Sequence, residues 1–428
     1  MKRIKSLFFL GKDLALSKTA QFIYTIFLGN IISAFIAFLF TVILVRNLSL
    51  SDFGYLSALF ALFLLVIDLS DIGIGSSLSA FLPSMERQKK KLFSFLKTAF
   101  FLQVSIAFVV SGGLLLFSQV LSDILFHERN LKDLIQITAL GIFFAIMANF
   151  FQYALSARQK FRQISLLSIF GSTVRLVLVI IAIIAAVLTL TSAVWIQTLS
   201  SIFLFTVSLI LLKTNFLLLP IKKEDLKRLV TFTYLLGIAR AISSLASRLD
   251  ILMLVSMRGA EEGGIYATAS RVTSIYLLLA GSLSMVIAPK LSSSQDSVYA
   301  KKFIKKVTIA TIGLIGTILL LILLARPFMI FLFAEKGLVT VPVFQLLLVG
   351  MIFFVGSIPP VSLAIYFLKK PHILTFNSII QIVIIIFGNL MLIPTYGRFG
   401  AAYSLILAYG ISLVITSLMT LFYFKKKV

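Results

Sequence analysis

The segment Phe40–Leu78 reads FTVILVRNLSLSDFGYLSALFALFLLVIDLSDIGIGSSL. One apolar run ends at Val45, the polar stretch Arg46–Asp52 turns the chain, and a second apolar run starts at Phe53. A helix needs roughly 20 residues to cross about 30 Å of hydrocarbon, and the runs over 20–45 and 53–82 are both long enough. The segment therefore predicts a hairpin of two membrane-spanning helices, because a helix satisfies its own backbone where no water can.

Further runs of this kind lie at 98–121, 134–157, 165–189, 192–212, 231–256, 264–288, 307–325, 340–368, 373–393 and 399–424, for twelve spans in all. Composition agrees. Hydrophobic residues make up 60% of the 428 and charged residues 13%, against roughly 45–50% and about 25% in an ordinary soluble domain. The reading is an all-α, polytopic membrane protein, and soluble-enzyme classes are set aside. The basic start (Lys2, Arg3, Lys5) leads through a short amphipathic stretch into a full-length span, so no cleavable signal peptide is expected. With no cysteine there is no disulfide framework, thiolate metal site or cysteine nucleophile. His127 and His372 are too few for an imidazole metal cluster and are read as solvent-facing. No catalytic residue, metal or cofactor is expected.

A formal net charge of +24 would suggest nucleic acid in a soluble chain. Sorted by loop, however, 28 of the 39 basic residues fall on one side, in segments that include Arg87–Lys97, Lys213–Arg228 and Lys290–Lys306. Only Arg46, Arg129, Lys132, Arg258, Arg326, Lys336 and Arg398 fall on the other. The positive-inside rule then places both termini in the cytoplasm and makes the excess charge a matter of topology. The basic residues are dispersed in short loops without a basic module, so no nucleic-acid partner is expected.

The longest polar connection, KTNFLLLPIKKEDLKRL (Lys213–Leu229), divides the chain six plus six. This gives an N-terminal six-helix bundle over 1–212, a cytoplasmic linker over 213–230 and a C-terminal six-helix bundle over 231–428. Six spans return the chain to its starting side, so the halves should be parallel repeats about an axis along the membrane normal. A faint echo supports the repeat: DFGYLSA (Asp52–Ala58) follows Arg46, and EGGIYATA (Glu262–Ala269) follows Arg258. Gly54 and Gly264 sit at equivalent places, where glycine would permit a tight outer turn. The outer loops are too short for an external catalytic domain, which argues against glycan polymerases and ligases. No G-x-x-x-x-G-K-[ST] is present, so transport must be gradient-driven or downhill.

Seven ionisable residues fall inside spans: Asp68, Asp71, Arg175, Arg240, Arg248, Asp250 and Arg271. Each costs at least about 2.5–3.5 kcal/mol at the bilayer centre, so it should face a partner or a wet cavity. Arg175 and Arg240 lie about 13–15 Å from the inner ends of their helices, and Arg248 and Arg271 about 10–13 Å from the outer ends. Snorkelling could rescue one of these but hardly all four. Asp68 and Asp71 share a helix face, and Arg240, Ser244 and Arg248 form a polar stripe. One reading has the acids neutralise arginines and lock neighbouring helices. The other makes the set a wet cavity of cationic character, suited to an anionic substrate. Pro359 and Pro360, with Gly350 and Gly356 nearby, should kink or break span 10, either as a static bend or as a hinge.

At this point the chain resembles a family. The hairpin Phe40–Leu78 is similar to the opening of polysaccharide-biosynthesis (O-antigen repeat-unit, Wzx-type) flippases, of the superfamily that also holds multidrug/toxic-compound extrusion (MATE) transporters and lipid II flippases. RLDILMLVSMRGAEEGGIYATASRV (Arg248–Val272) is similar to that family's span 7–8 hairpin, and NLMLIPTYGRFGAAYSLILAYG (Asn389–Gly410) to its span 11–12 turn. The turn LTLTSAVW (Leu188–Trp195) departs from the pattern, since it lacks the glycines of its C-terminal counterpart. The resemblance implies two MATE-like six-helix bundles around a central cavity that opens alternately to either side. It implies transfer of a polyprenyl-diphosphate-linked oligosaccharide from the cytoplasmic to the outer leaflet of the inner cell membrane, alongside a polysaccharide polymerase and chain-length machinery. Arginine's planar fork suits diphosphate oxygens, which makes Arg175, Arg240, Arg248 and Arg271 the candidate substrate residues. Asp68, Asp71 and Asp250 are the candidate carriers if a proton or sodium gradient drives turnover. Two other readings stay open: a gradient-driven exporter of organic cations or drugs, whose cavity should be dominated by acids, and a non-transporting scaffold of a glycan-assembly complex.

Overall fold

The structure is a computed structural model that describes residues 18–127, 130–212, 216–217, 220–293 and 296–427. Within helices, the backbone alone is described at 18–24, 232, 234–236, 238–243 and 427. About 90% of the described residues are helical, and no strand occurs among them. Eleven helices are long and apolar enough to cross a membrane. The remaining expected span, the seventh at 231–256, is present as two shorter pieces that break at Ser247–Arg248. This is the expected all-α, polytopic architecture, with several spans interrupted where a continuous helix was expected.

The chain divides into two compact units. The first takes the chain up to Thr41, then Val66–Ser118 and Lys132–Ala241. It contains α1 (Lys18–Asn47) as far as Thr41, the end of α2 (Leu50–Ser70), α3 (Ile74–Met85), α4 (Lys89–Leu116), α6 (Lys132–Ala157), α7 (Phe161–Ile184), α8 (Leu190–Leu212) and most of α9 (Lys223–Ala246). A helix α5 (Ser118–Leu125) lies almost wholly in the second unit. The core of the first unit is aromatic. Phe95, Phe150, Phe151 and Phe216 are fully buried, and Phe100 meets Phe150 and Phe216 edge-on at 5.4 and 5.7 Å. Lipid offers no hydrophobic drive between helices, so such packing has to come from close ring contacts. The connection after span 6 joins this core through Phe216 and Leu229, and Ser94 donates to the carbonyl of Pro220.

Expected span 2 breaks at Asp71–Gly73, where Ile72 and Gly73 adopt φ of 32° and 86°. A break at this depth frees backbone groups that hydrocarbon cannot satisfy. Here they find partners. The Gly75 N–H donates to Asp71 Oδ1 at 2.9 Å, and the buried Gln103 amide donates to the Ser70 carbonyl at 3.1 Å. Gly237 of α9 comes so close to Ile72 that a Cβ there would lie 2.9 Å from backbone atoms.

The second unit comprises Val42–Leu65, Gln119–Leu131 and the chain from Ile242 onward. It contains α10 (Leu249–Arg258), α11 (Ala260–Thr273), α12 (Ile275–Ser292), α13 (Ser297–Leu323), α14 (Ala325–Phe333), α15 (Glu335–Gly356), α16 (Ile358–Ser362), a π-turn at Leu363–Phe367, α17 (His372–Tyr396) and α18 (Arg398–Lys427). Gly54 and Gly264 do not form turns. Each lies inside a helix, where a Cβ on Gly54 would strike the Ala260 carbonyl and one on Gly264 would strike the Leu50 carbonyl. Each glycine thus faces the residue four positions before the other, a reciprocal crossing consistent with the repeat. Absence of a side chain here serves close helix approach instead of a special backbone angle.

Several basic residues cap helix ends. Lys336 Nζ donates to the carbonyls of Val45, Arg46 and Leu48, while Arg46 donates to Leu332 and Phe331. Arg258 donates to Pro394, and Glu262 accepts from both the backbone N–H and the guanidinium of Arg398. Cations at C-terminal carbonyls satisfy acceptors that have no intrahelical partner.

Candidate functional site

Arg248 and Arg271 are half-buried in the second unit, and each stands at a helix interruption. Arg248 occupies the residue before α10, with φ −130° and ψ −17°. Arg271 lies in the last turn of α11, and its carbonyl accepts from Ser274, the residue where expected span 8 divides into α11 and α12. Arg175, in the first unit, has no carboxylate within ion-pair reach among the described residues. Its Nε lies 3.4 Å from the Gly171 carbonyl, its Nη1 lies 3.5 Å from Gln197 Oε1, and its guanidinium sits 6.0 Å from the centre of the Phe40 ring. Arg240 falls on α9, and its side chain lies outside the described residues.

The acids separate by role. Asp68 is half-buried on the last turn of α2, and Asp71 is buried in the break that follows, with one carboxylate oxygen committed to the Gly75 N–H. Asp250 accepts a 2.7 Å hydrogen bond from the Tyr266 hydroxyl, and its other oxygen meets the Ile251 N–H. It lines a cavity of about 260 Å³ within the second unit, together with Ser247, Tyr266, Ser270, Gln381 and Tyr409. That lining holds one carboxylate among hydroxyl and amide groups, a donor set for a small cation or an exchangeable proton. Among the described residues, Arg175, Arg248 and Arg271 are not part of this lining. No cluster of His, Cys, Asp and Glu able to hold a metal occurs among the described residues.

Pro359 and Pro360 lie in α16, one residue after α15 gives way at Ser357, and the π-turn follows at once. Thr420 donates to the Pro360 carbonyl, so the broken span keeps its backbone satisfied. Sequence reasoning missed Tyr266, Gln381 and Tyr409 beside Asp250, and Gln103 beside the span 2 break. Tyr266 stands in the G-I-Y run at Gly264–Tyr266, the one available signal; the others sit in apolar helices far from their partners in sequence.

A family model described as polysaccharide biosynthesis protein matches residues 20–295. The chain belongs to that family. No curated protein matches it in sequence. Among solved structures it is similar to a multidrug resistance MATE family transporter of the MOP superfamily in an inward-facing conformation, with TM-score 0.74, 14% identity and coverage of 92% of this chain and 95% of that one. It is equally similar to the lipid II flippase MurJ in an inward closed conformation, with TM-score 0.74, 16% identity and coverage of 94% and 89%. A MOP superfamily transporter from Pyrococcus furiosus, whose binding pocket is described as having reversed polarity, gives TM-score 0.68 at 14% identity over 97% and 98% of the two chains. These likenesses establish the fold, and all three neighbours are transporters or flippases.

Proposed function

We propose that this protein moves a polyprenyl-diphosphate-linked oligosaccharide from the cytoplasmic to the outer leaflet for surface polysaccharide assembly, O-antigen being one such product. The observation that carries the reading is a polysaccharide-biosynthesis family match on a chain with the fold of MOP transporters. The chemistry is compatible. Arg248 and Arg271 place guanidinium groups partly inside the second unit at helix interruptions, where freed backbone and planar donor forks can pair with diphosphate oxygens. Arg175 and Arg240 extend the cationic set to spans 5 and 7. The polyprenyl tail stays in lipid while the headgroup crosses by alternating access. Both termini face the cytoplasm and the protein resides in the inner membrane; polymerase and chain-length proteins are its partners.

The Asp250 cavity supports a further element of this reading, coupling to a proton or sodium gradient. It also favours the second reading, an organic-cation exporter, because the only charged lining group among the described residues is an acid. Surface glycan in a flippase-deficient host separates the two. Restoration by the wild-type chain, with loss in an Arg248→Ala/Arg271→Ala variant that still inserts, supports glycan transport. Full glycan production by the double variant would sink the cationic-cavity mechanism, and drug resistance without glycan rescue would favour export.

A further inference from the structure

Helix α13 carries four lysines in its first three turns: Lys301, Lys302, Lys305 and Lys306, all exposed. At about 100° per residue they fill an arc of about 140°. That arc lies opposite the buried line of Ala300, Val307, Thr311 and Ile318, by which the helix packs into its unit. The sector does not end with the lysines. Continued along the helix, it presents Ile309, Ile312, Leu319, Leu320 and Leu323, all exposed, with Leu323 80% so. On a membrane-spanning helix an outward apolar face of this kind meets acyl chains. The lysines therefore stand at the level of the headgroups belonging to those same lipids, about 5–17 Å along the axis from Ile309 and Ile312.

Two further details fit a lipid better than a protein partner. A Cβ on Gly313 or Gly316, in the same sector, would meet nothing within 4 Å, so the face is shallowly recessed where a chain would lie. At the headgroup end, Tyr299 is 43% exposed and its ring stacks on Phe303 at 6.1 Å, while Lys290 sits 5.8 Å from the Phe303 ring. Exposed aromatic rings beside lysines mark the water–lipid boundary. The charge is also of the kind that suits a mobile headgroup. Lysine ammoniums are hydrated point charges on flexible stems, without the fixed fork that recognises a particular phosphate geometry.

From this continuity of one helix face we infer that the outer surface of α13 is a binding site for anionic phospholipid of the leaflet at the lysine end. The site pairs a lysine-bound phosphate headgroup with an acyl chain laid along Ile309–Leu323. The inference needs only the membrane-spanning reading, so a failed glycan-transport assay leaves it standing.

The chain has no cysteine, so an Ile309→Cys variant can carry a single fluorophore next to the lysines. Reconstituted in phosphatidylcholine vesicles, it should be quenched several-fold more strongly by brominated phosphatidylglycerol than by brominated phosphatidylcholine at equal low content. The preference should fall to parity in the K301Q/K302Q/K305Q/K306Q background and persist when the same four positions are Arg. In the unneutralised labelled protein it should also vanish in about 1 M salt, where the Debye length is about 3 Å, a readout independent of how the quadruple variant folds. Equal quenching by both lipids, or a preference that survives neutralisation, overturns the site. Displacement of phosphatidylglycerol by a polyprenyl diphosphate more effectively than by equal added phosphatidylglycerol charge would assign the face to substrate and overturn the phospholipid assignment.

Discussion

A guanidinium carries five N–H donors and no acceptor, so wherever lipid replaces water each of its donors has to find an oxygen or a ring. Arg175 does this with a carbonyl, an amide and an aromatic face, all in its own unit. Among the described residues no carboxylate compensates its positive charge. If Arg248 and Arg271 hold diphosphate, substitutions at either position form a graded series. Gln or Ala should lower surface-glycan production at least tenfold in complementation, and Lys should retain part of it, because charge survives while the bidentate fork is lost. Membrane levels, followed by immunoblot, should stay near wild type, and loss of the protein from the membrane would point to helix locking instead. Asp250 gives a second test. Tyr266→Phe removes the donor of its 2.7 Å hydrogen bond from a half-buried carboxylate, and should lower stability by about 1–3 kcal/mol in thermal unfolding. Asp250→Asn should abolish gradient dependence of transport in vesicles if the cavity carries the coupling ion; an unchanged gradient dependence removes it from that role.

Helices that stop at membrane depth are the least legible elements in this sequence. Hydropathy reads Phe53–Leu82 as one run, since Asp71, Ile72 and Gly73 dilute it too little to register. The break shows only in the backbone, at φ of 32° and 86°; Gln103, which satisfies the Ser70 carbonyl, and Gly237, which packs against Ile72, are remote in the chain. The same holds at Ser247–Arg248, where no proline announces the interruption. At Pro359–Pro360 the residue type does announce one, and the expected interruption is there. Asp71 was legible as costly but not as a backbone partner. Asp71→Asn keeps an oxygen for the Gly75 N–H and should fold close to wild type, whereas Asp71→Ala leaves that N–H in hydrocarbon and should cost about 1–3 kcal/mol. Gradient-dependent transport that is unchanged in an Asp68→Asn/Asp71→Asn variant would exclude this pair from coupling.

For the whole molecule, composition and run length were enough to specify an all-α membrane protein, because backbone satisfaction in lipid admits few alternatives. Charge asymmetry adds an orientation that reporter fusions can check: reporters after residues 92, 160, 225 and 297 should read cytoplasmic, and those near 49, 128, 260 and 336 external. One reversed pair would break the twelve-span, parallel-repeat arrangement. The repeat itself was barely visible in the sequence, and the signal that mattered was the glycine pair, whose physical purpose was misread as a turn. Because each of Gly54 and Gly264 is confined by a main-chain carbonyl belonging to the other's helix, no rotamer change can relieve a larger residue at either one. Leucine at Gly54 should therefore destabilise the protein by at least about 1–3 kcal/mol in thermal unfolding, and trimming the facing Ala260 to glycine should give no rescue. A chimera that borrows one half from a relative would inherit the same demand. It can assemble only if donor and recipient agree on where the missing side chains fall, so the two halves of such a chain cannot drift in register independently.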